Sequence, residues 1–264
     1  MKDFITKSKK KALDNAFAFL FWLTLWQITY FVLQRDIYLP SPLSVFTQLK
    51  ELVFLRIFWE SIAYSIYRVI LGVFLSTILG ITMGIVCSAY RFVYNLVNPL
   101  MVAIKSTPIL SFIIIALVWF SSSHVPIFTC FLMCFPIIWT NIMTGLANVD
   151  PKLLQMAKLY RIKKRMIVKK IYLPTIIPYF STACITSLGL GWKVSVAAEV
   201  LSHPKNAIGS QLYSAKIYLD ASGLFAWTLV IILLSLLFER IFTCCLEKIT
   251  TKKALAIKGD LIHK

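Results

Sequence analysis

The sequence predicts an all-α integral membrane protein with six transmembrane helices, and three observations lead to that fold class. Hydrophobic residues make up 59% of the chain and charged residues 15%, against about 45–50% and about 25% in ordinary soluble domains. The mean hydropathy is +0.78, and a bilayer hides that much apolar surface more readily than a core of this size. The net charge of +17 lies in blocks between apolar runs, whereas a nucleic-acid-binding protein presents its basic residues on a soluble face.

The first apolar run, residues 16–33, carries no charge and covers about 27 Å at the rise of an α-helix. It is longer than the apolar part of a signal peptide and no Ala-x-Ala site follows it, so we expect a retained span. The predicted division of the chain is an N-terminal segment (1–14), a first span (15–34), an outer amphipathic segment (35–56), a transmembrane domain (57–246) with helices near 61–90, 92–120, 126–147, 175–201 and 221–243, and a tail (247–264).

Chain breakers place the connections between these spans. Pro40 and Pro42 interrupt the chain after the first span, and apolar residues then recur at helical spacing. This pattern predicts a short amphipathic helix on the outer face, with an irregular loop as the alternative. The stretch from Arg91 to Val149 is too long for one crossing, and Ser-Ser-Ser-His-Val-Pro at 121–126 marks the turn that divides it.

Lys and Arg residues are distributed unequally between the two sides of the predicted spans. Twenty fall on the side that holds both termini, five fall on the other side, and three lie within spans, namely Arg68, Lys105 and Lys193. Because positively charged segments stay in the cytoplasm, this asymmetry predicts a multi-pass protein of the cell membrane with both termini cytoplasmic. An even number of spans agrees with that orientation.

The longest predicted cytoplasmic connection, residues 148–174, has the pattern of helices. Asp150 can cap a helix that has Pro151 at its first position. A second amphipathic stretch follows and is expected to end at Pro174, where the fifth span begins. By pattern alone these are two short helices on the membrane surface, and a basic hairpin resting on anionic headgroups is an alternative function.

This connection resembles the EAA motif of ABC importer permeases. The family pattern is Glu-Ala-Ala, three residues, Gly, nine residues and Ile-x-Leu-Pro, and Gln155-Met156-Ala157, Arg161 and Ile171-x-Leu173-Pro174 match its spacing in full. Arg161 stands where the family has glycine. Glycine suits a left-handed turn after a helix, and another residue adopts that conformation at a cost of about 1–2 kcal/mol. We therefore expect a different turn here, or two helices that run together.

Further stretches resemble one branch of that family, the nitrate, sulfonate, taurine and thiamine-precursor type. They are Leu39–Pro42, Ser65–Gly72, Asn98–Leu100, Leu188–Trp192 and Ala198–Glu199, so the resemblance runs from about residue 39 to residue 246. The family usually has Trp-Phe-Gly-x-Gly where this chain has Trp119-Phe120 followed by three serines. We expect that turn to be stiffer or differently shaped.

The resemblance implies a type I ABC importer permease fold and a permease subunit that forms the path of a small polar or anionic solute. It implies three partners: a second permease subunit, expected to be an identical copy, a cytoplasmic ABC ATPase dimer and an extracytoplasmic solute-binding protein. The chain contains no Gly-x4-Gly-Lys-Ser/Thr sequence, the signature of a P-loop. We therefore expect no enzyme activity and no cofactor in this chain, with ATP bound by the partner subunit.

In such permeases the connecting segment, here 150–172, transmits the movement of the ATPase. The residues assigned to this coupling are Leu153, Gln155, Met156, Ala157, Leu159, Arg161, Leu173 and Pro174. Among them we expect Ala157 to lie where a groove of the partner leaves little space.

Candidate residues of the transport path are Lys105, Pro108, Trp192, Lys193 and Glu199. Lys105 follows Arg91 by about 21 Å of helix, a depth at which a charge costs about 2.5–3.5 kcal/mol. Pro108 removes a backbone hydrogen bond nearby, and a kinked helix beside a cation is typical of transporter sites. A lysine paired with a backbone carbonyl at the kink is the alternative.

The other path candidates lie in the fifth span. Lys193 is expected near the outer boundary, where extending to the headgroups is an alternative role, and Glu199 at the outer mouth on a different face. Trp192, like other tryptophans here, has helix packing or anchoring at the membrane interface as its alternative. His124 and His203 each lack a second ligand nearby in the sequence, so no metal site is predicted.

A gradient-driven secondary transporter is the rival function. Such a transporter needs acidic residues inside the spans for ion coupling. Glu199 is the candidate, and it lies near an edge of the fifth span. A membrane-embedded enzyme ranks last, because no cluster of His, Asp and Glu marks a catalytic site. Two lysines without a central acid favour an anion such as a sulfonate or nitrate, and the aromatic-rich spans fit a thiamine precursor equally well.

Overall fold

The computed structural model describes the backbone of residues 2–262 and the side chains of 14, 16–18, 20–241 and 244. Every regular element in that range is helical. The helices are α1 (Lys2–Leu33), α2 (Pro42–Val53), α3 (Arg56–Ala89), α4 (Arg91–Ser106), α5 (Ile109–Trp119), α6 (Val125–Ala147), α7 (Pro151–Leu159), α8 (Lys164–Ile167), a π turn (Val168–Tyr172), α9 (Leu173–Ser202), α10 (Ile208–Ile217) and α11 (Ala221–Ile262). The chain forms two compact units, one made of the residues up to 60 together with 211–231, the other of 61–210 together with the residues from 232 on.

The number of candidate spans agrees with the predicted six when one bent pair of helices counts as a single span. Five helices of the described chain are long and apolar enough to cross a membrane: Ala16–Leu33, Arg56–Ala89, Val125–Ala147, Lys164–Ser202 and Ala221–Ile241. The sixth candidate is α4 with α5, which meet at an angle of 107°. The all-α membrane fold predicted from composition and apolar runs is therefore confirmed.

The single helix predicted near 92–120 is wrong, because the chain breaks there into α4 and α5. Thr107 is extended (ψ 135°) and Pro108 precedes the first residue of α5. A residue before proline avoids the helical conformation, and proline has no N–H to continue the ladder. The depth assigned to Lys105 assumed one straight helix, so that depth no longer holds.

In the first unit, α2 forms a helix where an irregular loop was the alternative. Ser41 caps it, because its Oγ accepts a hydrogen bond from the Ser44 N–H at 3.1 Å, and Pro42 occupies the first helical position. The indole of Trp26 donates to the carbonyl of Pro40 at 3.1 Å and so ties α1 to the start of α2. The location of α2 on the outer face of the membrane stays a prediction.

In the second unit, α6 lies in close contact with both α3 and α9. A Cβ added at Gly72, Gly80 or Gly84 of α3 would lie within 2.7–2.8 Å of side-chain atoms of α6. Gly191 of α9 likewise faces two cysteines of α6, at 2.9 and 3.0 Å from its missing Cβ. Lipid tails are as apolar as these side chains, so spans associate through such close backbone approach. The glycines therefore explain why three helices share one tight core.

Candidate coupling segment and transport path

The first helix of the 150–172 segment, α7, is capped at both ends. Asp150 accepts a hydrogen bond from the Lys152 N–H at 2.8 Å, as predicted for a helix that begins at Pro151. At the other end, the Ile162 N–H donates to the Ala157 carbonyl at 2.9 Å and the Arg161 N–H to the Lys158 carbonyl at 3.1 Å. These two bonds form a Schellman motif.

Arg161 keeps the left-handed turn of the family despite its side chain. Its φ is +53°, in the region that glycine adopts without cost. The expectation of a different turn, or of two merged helices, is therefore wrong. The Schellman bonds outweigh the local penalty, which is about 1–2 kcal/mol.

The faces of α7 differ from the expectation for its alanine. Ala157 is fully buried within the chain, so its side chain does not face a partner's groove. The exposed apolar residues are Leu153, Met156, Leu159 and Tyr160, with Leu159 exposed by 80% and Tyr160 by 73%. Gln155 and Arg161 are also exposed. Sequence reasoning missed Tyr160, whose signal was an aromatic residue next to an apolar one at the end of a capped helix.

The second half of the segment is joined to the fifth span. Residues from Lys164 to Ser202 form one continuous helical stretch of 39 residues, so Pro174 does not end the preceding helix as predicted. The π turn at Val168–Tyr172 lies directly before Leu173-Pro174, and the Leu173 N–H donates to the Val168 carbonyl. A change of hydrogen-bond register at this point accommodates a proline that has no N–H to give.

Lys105 lies in the last turn of α4, beside the break. Its Nζ donates to Thr140 Oγ1 of α6 at 2.7 Å, and that hydroxyl donates to the Pro136 carbonyl at 2.7 Å. The partner is thus a side-chain hydroxyl rather than the backbone carbonyl considered as the alternative. Lys105 and Pro108 are both exposed. Because α4 ends and α5 begins here, the break also places the ends of two helices beside Lys105.

Two of the remaining path candidates are buried, which corrects their placement. Glu199 is fully buried and forms an ion pair with Arg68 at 3.0 Å, so it does not line an outer mouth. Trp192 is also fully buried, with its ring 5.2 Å from that of Phe238, and it packs as its alternative role required. Lys193 is exposed, which agrees with the prediction that it and Glu199 occupy different faces.

Arg68 is the functional candidate that the sequence did not reveal. The sequence shows it as a charge within a predicted span and as part of a family-like stretch, but its partner lies 131 positions away. Arg68 and Glu199 carry charges of opposite sign and both lie within otherwise apolar helices. A buried charge has to be paired, and that requirement was the available signal.

Comparison with known proteins places these features in a family. The family model "Binding-protein-dependent transport system inner membrane component" matches residues 76–244. The chain is 30% identical over 228 residues to the bicarbonate transport system permease protein CmpB of Synechococcus elongatus, which covers 77% of this chain and 81% of that protein. It is 25% identical over 193 residues to the putative aliphatic sulfonates transport permease protein SsuC of Bacillus subtilis, and this match covers 73% of this chain and 70% of that protein.

A solved structure shares the fold. A chain of the methionine ABC transporter MetNI, in an inward-facing conformation, matches with a TM-score of 0.63 at 13% identity, over 74% of this chain and 96% of that chain. At this identity the likeness concerns the fold alone, and it confirms the predicted type I ABC importer permease fold.

Proposed function

The chain belongs to the family of binding-protein-dependent transport system inner membrane components, the permease subunits of ABC importers, and from that premise we propose that it forms the path of a small anion. ATP hydrolysis on a partner subunit drives the import, and an extracytoplasmic binding protein delivers the anion. A second permease subunit, an identical copy, completes the path. The termini and the 150–172 segment face the cytoplasm, as the distribution of Lys and Arg favours.

Lys105 is the observation that carries the anion class. It is an exposed cation beside a broken helix, and its Thr140 partner is uncharged. The single carboxylate of α9, on Glu199, is neutralised inside the chain by Arg68, so the exposed charge of α9 is Lys193. Anions are held by cations and by the helix ends of broken spans. The relatives named for bicarbonate and sulfonates support the same class.

The ion pair of Glu199 also favours ATP over an ion gradient as the energy source. A proton- or sodium-coupled transporter needs an acid that exchanges its cation with the transport path. Glu199 is enclosed and bonded to Arg68, Ser65 and Gly209. The acid that the rival function required is therefore committed to a structural contact.

We propose that α7 docks onto the ATPase through its exposed apolar side chains. Leu153, Met156, Leu159 and Tyr160 lie outside the candidate spans, and exposed apolar clusters of this kind mark interaction surfaces. Caps at both ends hold α7 in one conformation, which lets it transmit a displacement. Ala157 and Arg161 shape the helix end, Gln155 is an exposed neighbour, and Leu173 with Pro174 joins the segment to α9.

Docking is tested by replacing Leu159 with aspartate. The chain is co-expressed with the ABC ATPase subunits of its source organism and purified in detergent, and the co-purified ATPase subunit is measured. Leu159→Asp should lower its recovery at least about tenfold, which corresponds to about 1.4 kcal/mol of binding free energy. Leu219→Asp is the matched control, because Leu219 is 68% exposed and lies outside the segment.

Equal recovery of the ATPase with Leu159→Asp would leave the basic hairpin on anionic headgroups as the better function for the segment. The anion class is tested separately in proteoliposomes that contain the assembled complex and the binding protein. Uptake of labelled bicarbonate or an alkanesulfonate should require ATP. Uptake driven by a proton gradient without ATP would favour the secondary transporter.

A further inference from the structure

A buried polar network joins α3 to α9 in the second unit. Arg68 Nη1 donates to Glu199 Oε1 at 3.0 Å, while Ser65 Oγ and the Gly209 N–H donate to Glu199 Oε2 at 2.8 and 3.2 Å. Arg68 is 4% exposed and Glu199 is fully buried. An ion pair enclosed in this way is held by hydrogen bonds that satisfy both partners, which is the condition for burying charge.

The same arginine holds the turn that follows α9, residues 203–207. Arg68 Nη1 and Nη2 donate to the backbone carbonyls of Asn206 and Lys205 at 3.3 and 3.0 Å. The turn contains two non-glycine residues in the left-handed region, His203 and Asn206, each with φ +48°. Such conformations persist only where the surroundings fix them. Arg68 supplies that support from a neighbouring helix.

The chemistry of this contact is specific to arginine. One planar guanidinium reaches a carboxylate and two backbone carbonyls at the same time, which the single ammonium group of lysine does not do. Beyond the turn, a Cβ added at Gly209 would lie only 2.5 Å from the Glu199 Cβ. The chain after the turn therefore packs directly on α9.

The network also lies at one end of a long continuous element. The helical stretch from Lys164 to Ser202 has 39 residues and spans about 58 Å at 1.5 Å per residue. It begins shortly after α7 and carries Glu199 in its last turn. A displacement of its first turns is therefore transmitted along a single helix to the partner of Arg68.

We propose that Arg68 is a positioning residue that couples the 203–207 turn to the 150–172 segment through this helix. Glu199 moves with α9, Arg68 belongs to α3, and the turn is bonded to both. Movement of the 150–172 segment thus changes how the turn is held at the opposite end of α9. The coupling rests on the proposed function, since it needs an ATPase that moves the segment, whereas the hold on the turn does not.

The hold on the turn is tested by limited trypsin digestion of the purified full-length chain. The rate of cleavage after Lys205 is followed by mass spectrometry in the wild type and in Arg68→Lys, which keeps the charge and loses the fork of donors. We expect cleavage about tenfold faster, the equivalent of about 1.4 kcal/mol in the opening equilibrium. Arg56→Lys is the matched control, because Arg56 forms an exposed ion pair with Glu60 on the same helix, and its cleavage rate should equal the wild-type rate.

The coupling is tested by the number of solute molecules imported per ATP hydrolysed in proteoliposomes of the assembled complex. Arg68→Lys should keep ATP hydrolysis within about twofold and lower import per ATP at least about fivefold, whereas a merely structural role would lower both together. If Arg68→Lys fails to fold, the double variant Arg68→Met with Glu199→Met takes its place, because it removes both buried charges together. It should fold and show both faster cleavage after Lys205 and lower import per ATP.

Unchanged cleavage after Lys205, or unchanged import per ATP with faster cleavage, overturns the proposal. Failure of the proposed function looks different. It appears as a wild-type complex without ATP-dependent import, while the cleavage measurement, which needs neither ATPase nor solute, still decides whether Arg68 holds the turn.

Discussion

Two cations inside the predicted spans of this permease have opposite surroundings. Arg68 is enclosed, and its donors reach one carboxylate and two backbone carbonyls. Lys105 is exposed, and its Nζ donates to the neutral hydroxyl of Thr140. A charge whose bonding is completed inside the chain stabilises the chain, whereas a charge with bonding capacity left over can serve a solute. Residue type and depth in the sequence do not separate these roles, but the number and charge of the partners do.

The largest effect that separates the two cations is expected from Arg68→Met. This change leaves Glu199 buried without its counterion, and breaking one partner of a buried pair costs about 3–5 kcal/mol. We expect most of the protein to be lost from the membrane or to aggregate in detergent, measured by size-exclusion chromatography and thermal unfolding. Lys105→Met, measured alongside, should be as stable as the wild type in both measurements. An Arg68→Met protein of wild-type stability would remove the distinction between the two cations.

Lys105→Met should instead lower transport. Insertion and recovery of the ATPase are expected to be normal, because the ammonium group is exposed and bonded to a single hydroxyl. Import should fall about tenfold or more, corresponding to at least about 1.4 kcal/mol of lost interaction with the anion. The measurement is ATP-dependent uptake at matched membrane levels. Uptake at the wild-type rate would show that Lys105 is structural only.

Thr140→Val sharpens the comparison by removing the partner of Lys105 and keeping the shape of the side chain. A hydrogen bond between a neutral hydroxyl and a charged group contributes about 1.5–3 kcal/mol at most, and less when the charged group is exposed. We therefore expect a two- to fivefold change in the substrate concentration at half-maximal uptake, which corresponds to the energy of about one weak hydrogen bond. The maximal rate of uptake should change little. A loss as large as that of Lys105→Met would mean that Thr140 itself binds the solute.

Arg161→Gly is expected to have the smallest effect, because this arginine matters through its backbone. Its φ of +53° is free of strain for glycine, so the chain should gain about 1 kcal/mol of stability. Transport should stay at the wild-type level. Arg161 would then be a third kind of cation beside Arg68 and Lys105, one whose charge neither stabilises the packing nor binds the solute. The check is a raised midpoint of thermal unfolding with unchanged uptake. A fall in uptake would give the guanidinium a role in contacting the ATPase.

Local chemistry predicted much of this fold. The uncharged runs gave the spans, and Asp150 with Pro151 gave the start of α7, because caps and prolines act within a few residues. Pro108 indicated a kink but not an angle of 107°, since a proline fixes where a helix is interrupted and tertiary packing decides the new direction.

The candidate site was less predictable, because its contacts depend on packing between distant segments. Glu199 and Arg68 are 131 positions apart, and no periodicity brings them together. Helical spacing showed that α7 has an apolar face, but it could not tell that Ala157 packs on this chain while Leu159 stays exposed. At Arg161 the residue type argued against a left-handed turn, yet the two backbone bonds of the Schellman motif maintain it.

The π turn at Val168–Tyr172 has a consequence for how this segment can vary. A π turn accommodates one residue more than an α-helical turn, and each residue rotates a helix by about 100°. Deleting one residue there would restore α-helical bonding in a turn with one residue fewer, so the basic side chains of α8 would keep nearly the same direction around the axis relative to α9. The same deletion in an α-helical turn would swing them by about 100°. The π turn therefore absorbs one residue with little effect on the rotational phase of α8, and loss of one residue is tolerated there more readily than in the α-helical turns of the same stretch.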